Sequence, residues 1–351
     1  MADPFDGFDR VPLVGGVTPL QAAPRLSAEL GAEVYLKRDD QSGLGLGGNK
    51  LRKLEFILGD AVASGCDTLV TFGAIQSNHA RQSAAACARL GLDCHLVLTE
   101  SVPRHDDLYN AGGNVLLDEL FGATLWHAGS TEQGLQDAIG RLEQQLDRNG
   151  ARARWTPAGG SEALGALGYV VSAHELSTQC EQLRIEPEAV FVASSTGGTQ
   201  AGLICGSVPA PGAGAPGTGT RIEGMAVYQS VPATIDAVTR LRDEVGDLLG
   251  RDCSTMPSVL VDGSQFGEGY GIPTEASREA MSLFARTEGV VLDPVYTAKA
   301  AAGLIERCRS GEVGTRGPVV FVHTGGVPGL FAYGSDALPG ERPGAPSPTA
   351  G

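Results

Sequence analysis

The chain has 351 residues, 42% of them hydrophobic and 50 of them glycine, which fits one large or two smaller α/β domains and excludes disordered and fibrous proteins. Its net charge of −15 opposes binding to nucleic acid and to anionic membrane surfaces. The sequence shows no signal peptide and no apolar run of about 18 residues, and its seven cysteines have neither paired nor metal-ligand spacing. We therefore expect a cytoplasmic protein with reduced thiols, no metal site, and no nucleic-acid or membrane partner.

Short β-branched runs alternate along the chain with Ala- and Leu-rich stretches, a pattern typical of parallel sheets covered by helices. In chain order it predicts strands at 68–72, 94–98, 124–127, 189–193, 221–228, 258–261 and 319–323. It predicts helices at 78–90, up to 121, at 131–148, from the turn at Gly160 to 183, and at 233–249, 275–288 and 298–309. The Pro/Gly/Ala-rich stretch 207–220 and the chain after Leu338 predict a surface loop and a flexible tail.

Lysine is scarce in this sequence, and three of the four lysines lie between residues 37 and 53. A coding bias toward arginine explains the scarcity but not the clustering. An arginine guanidinium stays protonated, whereas a lysine amine can lose its proton and form a Schiff base. The clustered lysines are therefore candidates for chemistry.

Lys50 ends the glycine-rich run GLGLGGNK and opens the helical run LRKLEFIL. The positive end of a helix disfavours the ammonium form of a lysine placed there and favours a bound phosphate. Lys53 lies one turn later on the same face, where it could contact that anion. A simple helix start would produce the same turn, so the residues alone leave both interpretations open.

A second glycine-rich segment, AVFVASSTGGTQAG, runs from a predicted strand into a helix. The backbone N–H groups and hydroxyls of Thr196, Gly197, Gly198 and Thr199 suit a phosphate cradle at a helix start. The segment has neither the lysine of a nucleotide-binding P-loop nor the spacing G-x-G-x-x-G. It therefore predicts a site for a lone phosphate ester.

The segment TFGAIQSNHARQ places Ser77 and Asn78 at the start of a helix directly after a strand. Ser77 suits an ordinary N-cap, but the carboxyl end of a strand in an α/β sheet is also the usual ligand crevice. His79, the next residue in the chain, could equally be a solvated cap residue or a proton carrier.

Seven segments together resemble the 1-aminocyclopropane-1-carboxylate deaminase / D-cysteine desulfhydrase family, whose members depend on pyridoxal 5'-phosphate. They are KRDDQSGLGLGGNKLRKLEF, GAIQSNHARQ, AGGSEALGALGY, SSTGGTQAG, EGYGIPTE, LDPVYTAKAAAGLI and VFVHTGGVPGLFAY. The resemblance covers nearly all of residues 10–334, in the family's order. It implies the α/β fold of the tryptophan synthase β-subunit, called fold type II, with two open twisted sheets, helices on both faces and the cofactor in the cleft.

The same resemblance implies a larger domain of residues 1–50 and 158–338 and a smaller inserted domain of residues 51–157. We expect a flexible tail at 339–351 and a homodimer.

The resemblance also implies roles for individual residues. For the cofactor it implies Lys50 as the Schiff-base lysine, Lys53 and the segment from Thr196 to Thr199 as phosphate ligands, and Asn78 as the partner of the ring oxygen. For the substrate it implies Ser77 at the carboxylate, with Asn78 and His79 beside it, and Tyr270 and Tyr296 facing the reacting atoms.

Two positions distinguish the branches of the family. Deaminases that open the cyclopropane ring resemble one another in having Glu after the tyrosine of DPVY and Leu in the strand-end H-x-G-G motif, where this sequence has Thr297 and Thr324. A neutral hydroxyl beside the pyridine nitrogen leaves the ring less electron-withdrawing than a carboxylate would. The threonine pair therefore favours elimination of a good leaving group from a sulfur-substituted alanine.

Within that branch, the segments QSNHARQ, GEGYGIPTE and DPVYTAKAAAG are more similar to L-cysteate sulfo-lyase than to the D-cysteine enzymes. This resemblance implies that His79 and Arg81 help to hold a sulfonate. The expected reaction converts L-cysteate or D-cysteine to pyruvate, ammonia and sulfite or sulfide, with the freed Lys50 or a nearby tyrosine removing the α-proton. Three alternatives stay open: cyclopropane ring opening, a β-replacement synthase that uses a second nucleophile, and a non-catalytic binding protein.

Overall fold

The computed structural model describes residues 5, 7–208, 220–253 and 256–338. The surface loop predicted at 207–220 falls almost wholly outside these residues, and the tail predicted at 339–351 falls entirely outside them. The first half contains β1 (Leu20–Ala22), α1 (Pro24–Leu30), β2 (Val34–Lys37), α2 (Lys50–Ala63), β3 (Thr68–Ala74), α3 (Asn78–Leu90), β4 (Asp93–Thr99), α4 (Asp107–Ala111), α5 (Gly113–Leu120), β5 (Thr124–Gly129), α6 (Glu132–Asn149) and β6 (Ala153–Thr156). The second half contains α7 (Ala163–Leu183), β7 (Ala189–Ser194), α8 (Gly198–Ser207), β8 (Arg221–Ala226), α9 (Val231–Leu248), β9 (Leu260–Asp262), α10 (Glu275–Glu288), α11 (Thr297–Arg309), β10 (Val319–Val322) and α12 (Val327–Tyr333).

Two open sheets organise the described part of the chain. The larger has the order β1-β2-β10-β7-β8-β9 and the smaller the order β5-β4-β3-β6. Neighbouring strands are parallel except β1 and β2. All strands of the smaller sheet come from residues 68–156, whereas both ends of the chain contribute to the larger one. This is the expected α/β architecture of two open sheets, and the exact domain bounds stay a prediction.

Strand β10 shows why helices cover both faces of the larger sheet. Its four residues are all buried, and they alternate between two hydrophobic clusters, one with Val319 and Phe321 and the other with Val320 and Val322. On one face the Phe321 ring meets Phe284 of α10 edge-on, with 5.3 Å between ring centroids. A strand that is apolar on both faces belongs in the interior of a parallel sheet, which is where β10 lies.

Helix α2 joins the part of the chain that forms the smaller sheet to the part that forms the larger one, because it contacts both α3 and α7. The approach to α7 is close enough that a Cβ atom on Gly168 would lie 2.1 Å from the Arg52 carbonyl oxygen. The buried Arg52 guanidinium bonds Asp39, which follows β2, and Glu175 of α7. These contacts fix the helix that begins at Lys50.

None of the helices in the described residues combines the length and the apolar character needed to cross a lipid bilayer.

Candidate active site

A cavity of about 460 Å³ opens at the carboxyl ends of β3, β7 and β10. The segments that follow these three strands are far apart in the sequence, and they meet at this cavity. The predicted site residues that line the cavity are Lys50, Ser77, Asn78, His79, Thr196, Gly197, Thr199, Tyr270, Tyr296 and Thr324. The structure therefore brings together most of the predicted site, at the crevice where α/β sheets usually bind ligands.

Lys50 is the first residue of α2, and it is held there by a side chain from α3. The Gln82 side-chain oxygen accepts hydrogen bonds from the backbone N–H groups of Lys50, at 2.9 Å, and Leu51, at 3.0 Å. The Gln82 amide nitrogen donates to the Asn78 carbonyl oxygen. Loss of hydration lowers the pKa of Lys50 to about 8, so about a tenth of its amine is unprotonated at pH 7.

Lys53 lies behind the predicted phosphate cradle and does not line the cavity directly. Its side-chain nitrogen donates to the Gly159 carbonyl oxygen and the Ser161 hydroxyl, both at 3.1 Å. A Cβ atom on Gly198 would lie 2.8 Å from that nitrogen, so glycine is required where the chain passes it. Burial, followed by the charge of Lys50, lowers the pKa of Lys53 well below its usual value.

The cradle itself is formed at the start of α8. Gly197 precedes the helix with φ of +88°, a conformation that glycine adopts without strain. The Thr196 hydroxyl contacts the Ser161 hydroxyl, and the Thr199 hydroxyl accepts from the Asn49 amide at 3.0 Å. Hydroxyls and first-turn N–H groups therefore converge on one end of the cavity, as a phosphate requires.

Ser77 and Asn78 form another group of donors at the start of α3. Ser77 is the N-cap, and its hydroxyl oxygen accepts from the Ala80 N–H at 3.1 Å. The N–H groups of Asn78 and His79, in the first turn, have no acceptor within the helix. The Asn78 side-chain oxygen accepts from the Asn114 amide at 3.0 Å. Ser77 thus combines the structural and functional interpretations, since it caps the helix and also lines the cavity.

The prediction that Arg81 holds a sulfonate is wrong. Arg81 is fully buried, and its guanidinium donates to the carbonyl oxygens of Gly45 and Gly47 and, at 3.0 Å, to the Asn114 side chain. Its charge supports the loop that leads to Lys50 and does not reach the cavity.

His79 is not a solvated cap residue, which was one of the two interpretations of the sequence. It is 2% exposed, and burial, followed by the charges of Lys50 and Lys53, lowers its pKa well below the usual value. His79 lines the cavity on the side of the phosphate cradle, where a Cβ atom on Gly160 would lie 3.3 Å from its Cε1 atom.

Tyr270 and Tyr296 meet in the cavity wall, and their hydroxyls are hydrogen-bonded to each other. Burial raises the pKa of both phenols above the usual value, so both remain protonated at neutral pH. Tyr228, which sequence analysis missed, packs edge-on against Tyr270 with 4.9 Å between ring centroids and also lines the cavity. It follows the end of β8, a position that marks it as a crevice residue once the strand is known.

The structure separates the two threonines that distinguish the branches of the family. Thr324 lines the cavity, but Thr297 is fully buried outside the cavity wall. The Thr297 hydroxyl donates to the Asp293 carboxylate at 2.6 Å, and that carboxylate also accepts the N–H groups that begin α11. Thr297 therefore does not line the cavity in which its contact with the cofactor was expected.

Three polar atoms at this cavity are buried and lack a hydrogen-bond partner within the described residues. They are His79 Nδ1, Ser194 Oγ and Gln200 Oε1, and all three residues line the cavity. Unpaired buried polar atoms are uncommon because each costs about 1–3 kcal/mol. A phosphate cradle, a reactive lysine and unpaired polar atoms together fit a planar, phosphorylated cofactor such as pyridoxal phosphate.

Comparison with known proteins agrees with this geometry. The profile of the family described as pyridoxal-phosphate dependent enzyme matches residues 11–325. The chain is 42% identical over 330 residues to the D-cysteine desulfhydrase of a Klebsiella pneumoniae subsp. pneumoniae strain, covering 93% of this chain and 96% of the relative. A second K. pneumoniae D-cysteine desulfhydrase is 43% identical over 334 residues, with the same coverage.

Solved structures give the same result. A crystal structure described as that of an ACC deaminase homologue has a TM-score of 0.82 and 36% identity, covering 95% of this chain and 97% of the other. Processed threonine deaminase isoform 2 from Solanum lycopersicum, at 19% identity, has a TM-score of 0.60 and covers 89% of this chain and 80% of the other, a likeness of fold alone. The fold type II prediction is confirmed, and the chain belongs to the pyridoxal-phosphate-dependent enzymes, in the family that includes D-cysteine desulfhydrase.

Proposed function

We propose that this enzyme eliminates sulfide from D-cysteine, as the name of its K. pneumoniae relatives suggests. The observation that carries the choice of leaving group is the charge of the cavity wall, where Lys50 is the one lysine or arginine among the described lining residues. An L-cysteate sulfonate would bring in a full negative charge, and burying an unpaired anion costs several kcal/mol or more. A thiol enters without that penalty.

The reaction breaks the Cα–H and Cβ–S bonds and consumes one water. D-cysteine and water give pyruvate, ammonia and hydrogen sulfide, so no oxidant or reductant is needed. Pyridoxal phosphate, when bound, supplies an electron-withdrawing ring that stabilises negative charge at the α-carbon. The protein supplies binding, orientation and proton transfer.

Four residues carry the substrate side of the proposal. The Ser77 hydroxyl and the first-turn N–H groups of α3 bind the substrate carboxylate, because they are donors on residues that line the cavity. Lys50, once released by the substrate amine, removes the α-proton, since its pKa of about 8 leaves a usable fraction of free amine. Tyr270 and Tyr296, whose raised pKa values keep them protonated, serve as proton donors to the leaving sulfur.

The lysine and the phosphate cradle indicate which residues would hold the cofactor. Lys50 would hold the cofactor covalently. The residues from Thr196 to Thr199, with Lys53 behind them, would bind its phosphate. Asn78, whose side chain is oriented by Asn114, would contact the ring oxygen.

The test is to incubate the purified enzyme separately with D-cysteine, L-cysteine and L-cysteate, and to measure pyruvate, sulfide and sulfite. We expect sulfide and pyruvate in equal amounts from D-cysteine, without any added nucleophile. We expect kcat/KM for L-cysteate to be at least about 100-fold lower, equivalent to about 2.8 kcal/mol. Comparable sulfite release from L-cysteate would refute the charge argument, and dependence on a second substrate would indicate a β-replacement synthase.

Ring opening of 1-aminocyclopropane-1-carboxylate is a second candidate, because a solved relative is described as an ACC deaminase homologue. The neutral hydroxyl of Thr324, which lines the cavity, favours elimination over ring opening. Release of 2-oxobutanoate from the cyclopropane substrate, at a rate similar to pyruvate release from D-cysteine, would reverse this order.

We also propose that the protein is a cytoplasmic homodimer. All seven cysteines are free thiols, which suits a reducing compartment. Leu116 and Leu120 on α5 and Phe331 on α12, which packs against α5, are 56%, 73% and 66% exposed, and a second copy would cover them. Light scattering on wild type and a Leu120→Lys variant tests the dimer, since the variant should shift toward monomer.

A further inference from the structure

The hydrogen bonds around His79 determine which ring nitrogen carries its proton. Nε2 of His79 lies 2.8 Å from the Thr71 hydroxyl oxygen, and that hydroxyl also lies 3.1 Å from the Thr156 carbonyl oxygen. A carbonyl oxygen can only accept, so the single hydroxyl proton of Thr71 is used there. Nε2 of His79 must therefore donate to Thr71, which leaves a bare lone pair on Nδ1 of the neutral ring.

The His79 ring, which carries this lone pair, lines the cavity next to the Gly159–Gly160 turn that adjoins the phosphate cradle. Nδ1 is buried without a partner within the described residues, and the Cε1 atom bonded to it would lie 3.3 Å from a Cβ atom on Gly160. The same Cβ atom would lie 3.6 Å from Cβ of Lys53, and a Cβ atom on the neighbouring Gly159 would lie 2.6 Å from the Thr196 hydroxyl. His79, Lys53 and Thr196 thus surround one turn.

We propose that His79 binds the cofactor phosphate through Nδ1 and takes up one proton from solvent as the phosphate enters. A phosphate ester carries a charge of about −1.5 to −2 at neutral pH and presents oxygen lone pairs, which a bare Nδ1 would repel. One proton between the two atoms converts that repulsion into a charge-assisted hydrogen bond. The proton leaves again with the phosphate, and no covalent bond of the protein changes.

The surrounding charges determine the pH range of this uptake. Burial, followed by the charges of Lys50 and Lys53 on α2, keeps the ring neutral without ligand. The other neighbours of the His79 ring, Thr71 of β3 and the turn at Gly160, are neutral. The nearby carboxylate of Glu162, which contacts Thr156, is paired with Arg154. Bound phosphate adds negative charge and raises the pKa of His79. Between the free and the bound pKa, affinity falls about tenfold for each unit of rising pH.

The experiment uses cofactor-free protein and pyridoxine 5'-phosphate, which carries the phosphate but has no aldehyde to react with Lys50. Protein with ¹⁵N-labelled histidine is observed by NMR, and the His79→Gln variant identifies the His79 signals. At pH 7.5 we expect the Nδ1 signal to change from the bare to the protonated form on binding, while Nε2 stays protonated. Calorimetry in two buffers should show about one proton fewer taken up by His79→Gln than by wild type.

His95→Gln is the matched control, because Nδ1 of His95 is paired with the Trp126 N–H at 3.1 Å and His95 does not line the cavity. Its proton uptake should equal that of wild type. His79→Asn replaces His79→Gln if the latter does not fold. A His79 Nδ1 signal that stays bare in the complex, or equal proton uptake with and without His79, would overturn the proposal. The inference rests on the pyridoxal phosphate cofactor alone, and because no substrate is present, its failure would leave the proposed lyase activity intact.

Discussion

At the scale of single residues, the site depends on side chains that serve the fold and the chemistry at once. Ser77 shows this most directly, because its hydroxyl accepts from Ala80 at the start of α3 and also lines the cavity. A substitution there therefore changes both stability and substrate binding, and a control is needed to separate the two.

Replacing Ser77 with Ala should lower the free energy of unfolding by about 1 kcal/mol, the usual effect of losing an N-cap. It should also raise KM for D-cysteine by about 10-fold or more, because a donor to the carboxylate is lost. Thr131→Ala is the matched control, since Thr131 caps α6 through Gly134 outside the cavity. If both variants lose the same stability and the same activity, Ser77 acts on folding alone.

The sequence could not reveal the direction in which each side chain points. Position in a motif correctly identified Lys50, Asn78 and the glycine-rich cradle as lining or adjoining one cavity. It misplaced Arg81, because a fully helical stretch such as α3 presents side chains to every side and the sequence does not say which side meets the cavity. The same limit concealed the roles of Gln82 and Asn114, whose partners lie on other elements.

At the scale of elements, periodicity predicted the long buried units well. Helices 78–90 and 275–288 agree with the structure at both ends. The pattern missed β1, β2 and β6, which have three or four residues each. Two of these are edge strands, and half-exposed edges lack the continuous apolar run that identifies interior strands.

One hydrogen-bonded contact between elements, from Gln82 of α3 to the start of α2, should control the reactivity of Lys50. Gln82→Leu would leave the Lys50 N–H group unpaired and the Leu51 N–H group with only its 3.4 Å contact to the Gly48 carbonyl oxygen, so we expect a loss of about 1–3 kcal/mol in unfolding free energy. Reductive methylation of cofactor-free protein across pH should show an altered pKa for Lys50.

Gln179→Leu provides the comparison for Gln82. The Gln179 side chain bonds the Thr18 carbonyl oxygen and Lys37, away from the cavity. The Gln179→Leu substitution should reduce stability while leaving the labelling curve of Lys50 unchanged. If Gln179→Leu shifts that curve as much as Gln82→Leu does, the contact of Gln82 has no special effect on Lys50.

At the scale of the whole molecule, a buried charge cluster joins the larger sheet to α2 and α7. Burial alone would raise the pKa of Asp39, but the charges of Arg52 and Lys37, with hydrogen bonds from Arg52 and Tyr169, together outweigh it and the pKa is lowered. Asp39 therefore contributes stability above its unfolded pKa of about 3.9, and this contribution is lost as pH falls from about 4 through the folded value.

Asp39→Asn should lower the free energy of unfolding at pH 7 by about 3–5 kcal/mol, because it leaves Arg52 buried with reduced compensation. It should also flatten the loss of stability between pH 4 and pH 2, as followed by denaturant unfolding. Glu244→Gln, which removes an exposed pair with Arg240 one helical turn away, should change neither quantity appreciably. Equal acid sensitivity in wild type and Asp39→Asn would contradict this account.

The strand order also has a consequence for biosynthesis. Strand β2 is complete by residue 37, but its parallel neighbour β10 ends at residue 322, so the larger sheet cannot close until the ribosome has made almost the whole chain. The smaller sheet, from residues 68–156, has all its strands far earlier. Because domains fold as units during translation, the half that carries Ser77 and Asn78 should become compact first, and the cradle at α8 should acquire its final neighbours only near chain release.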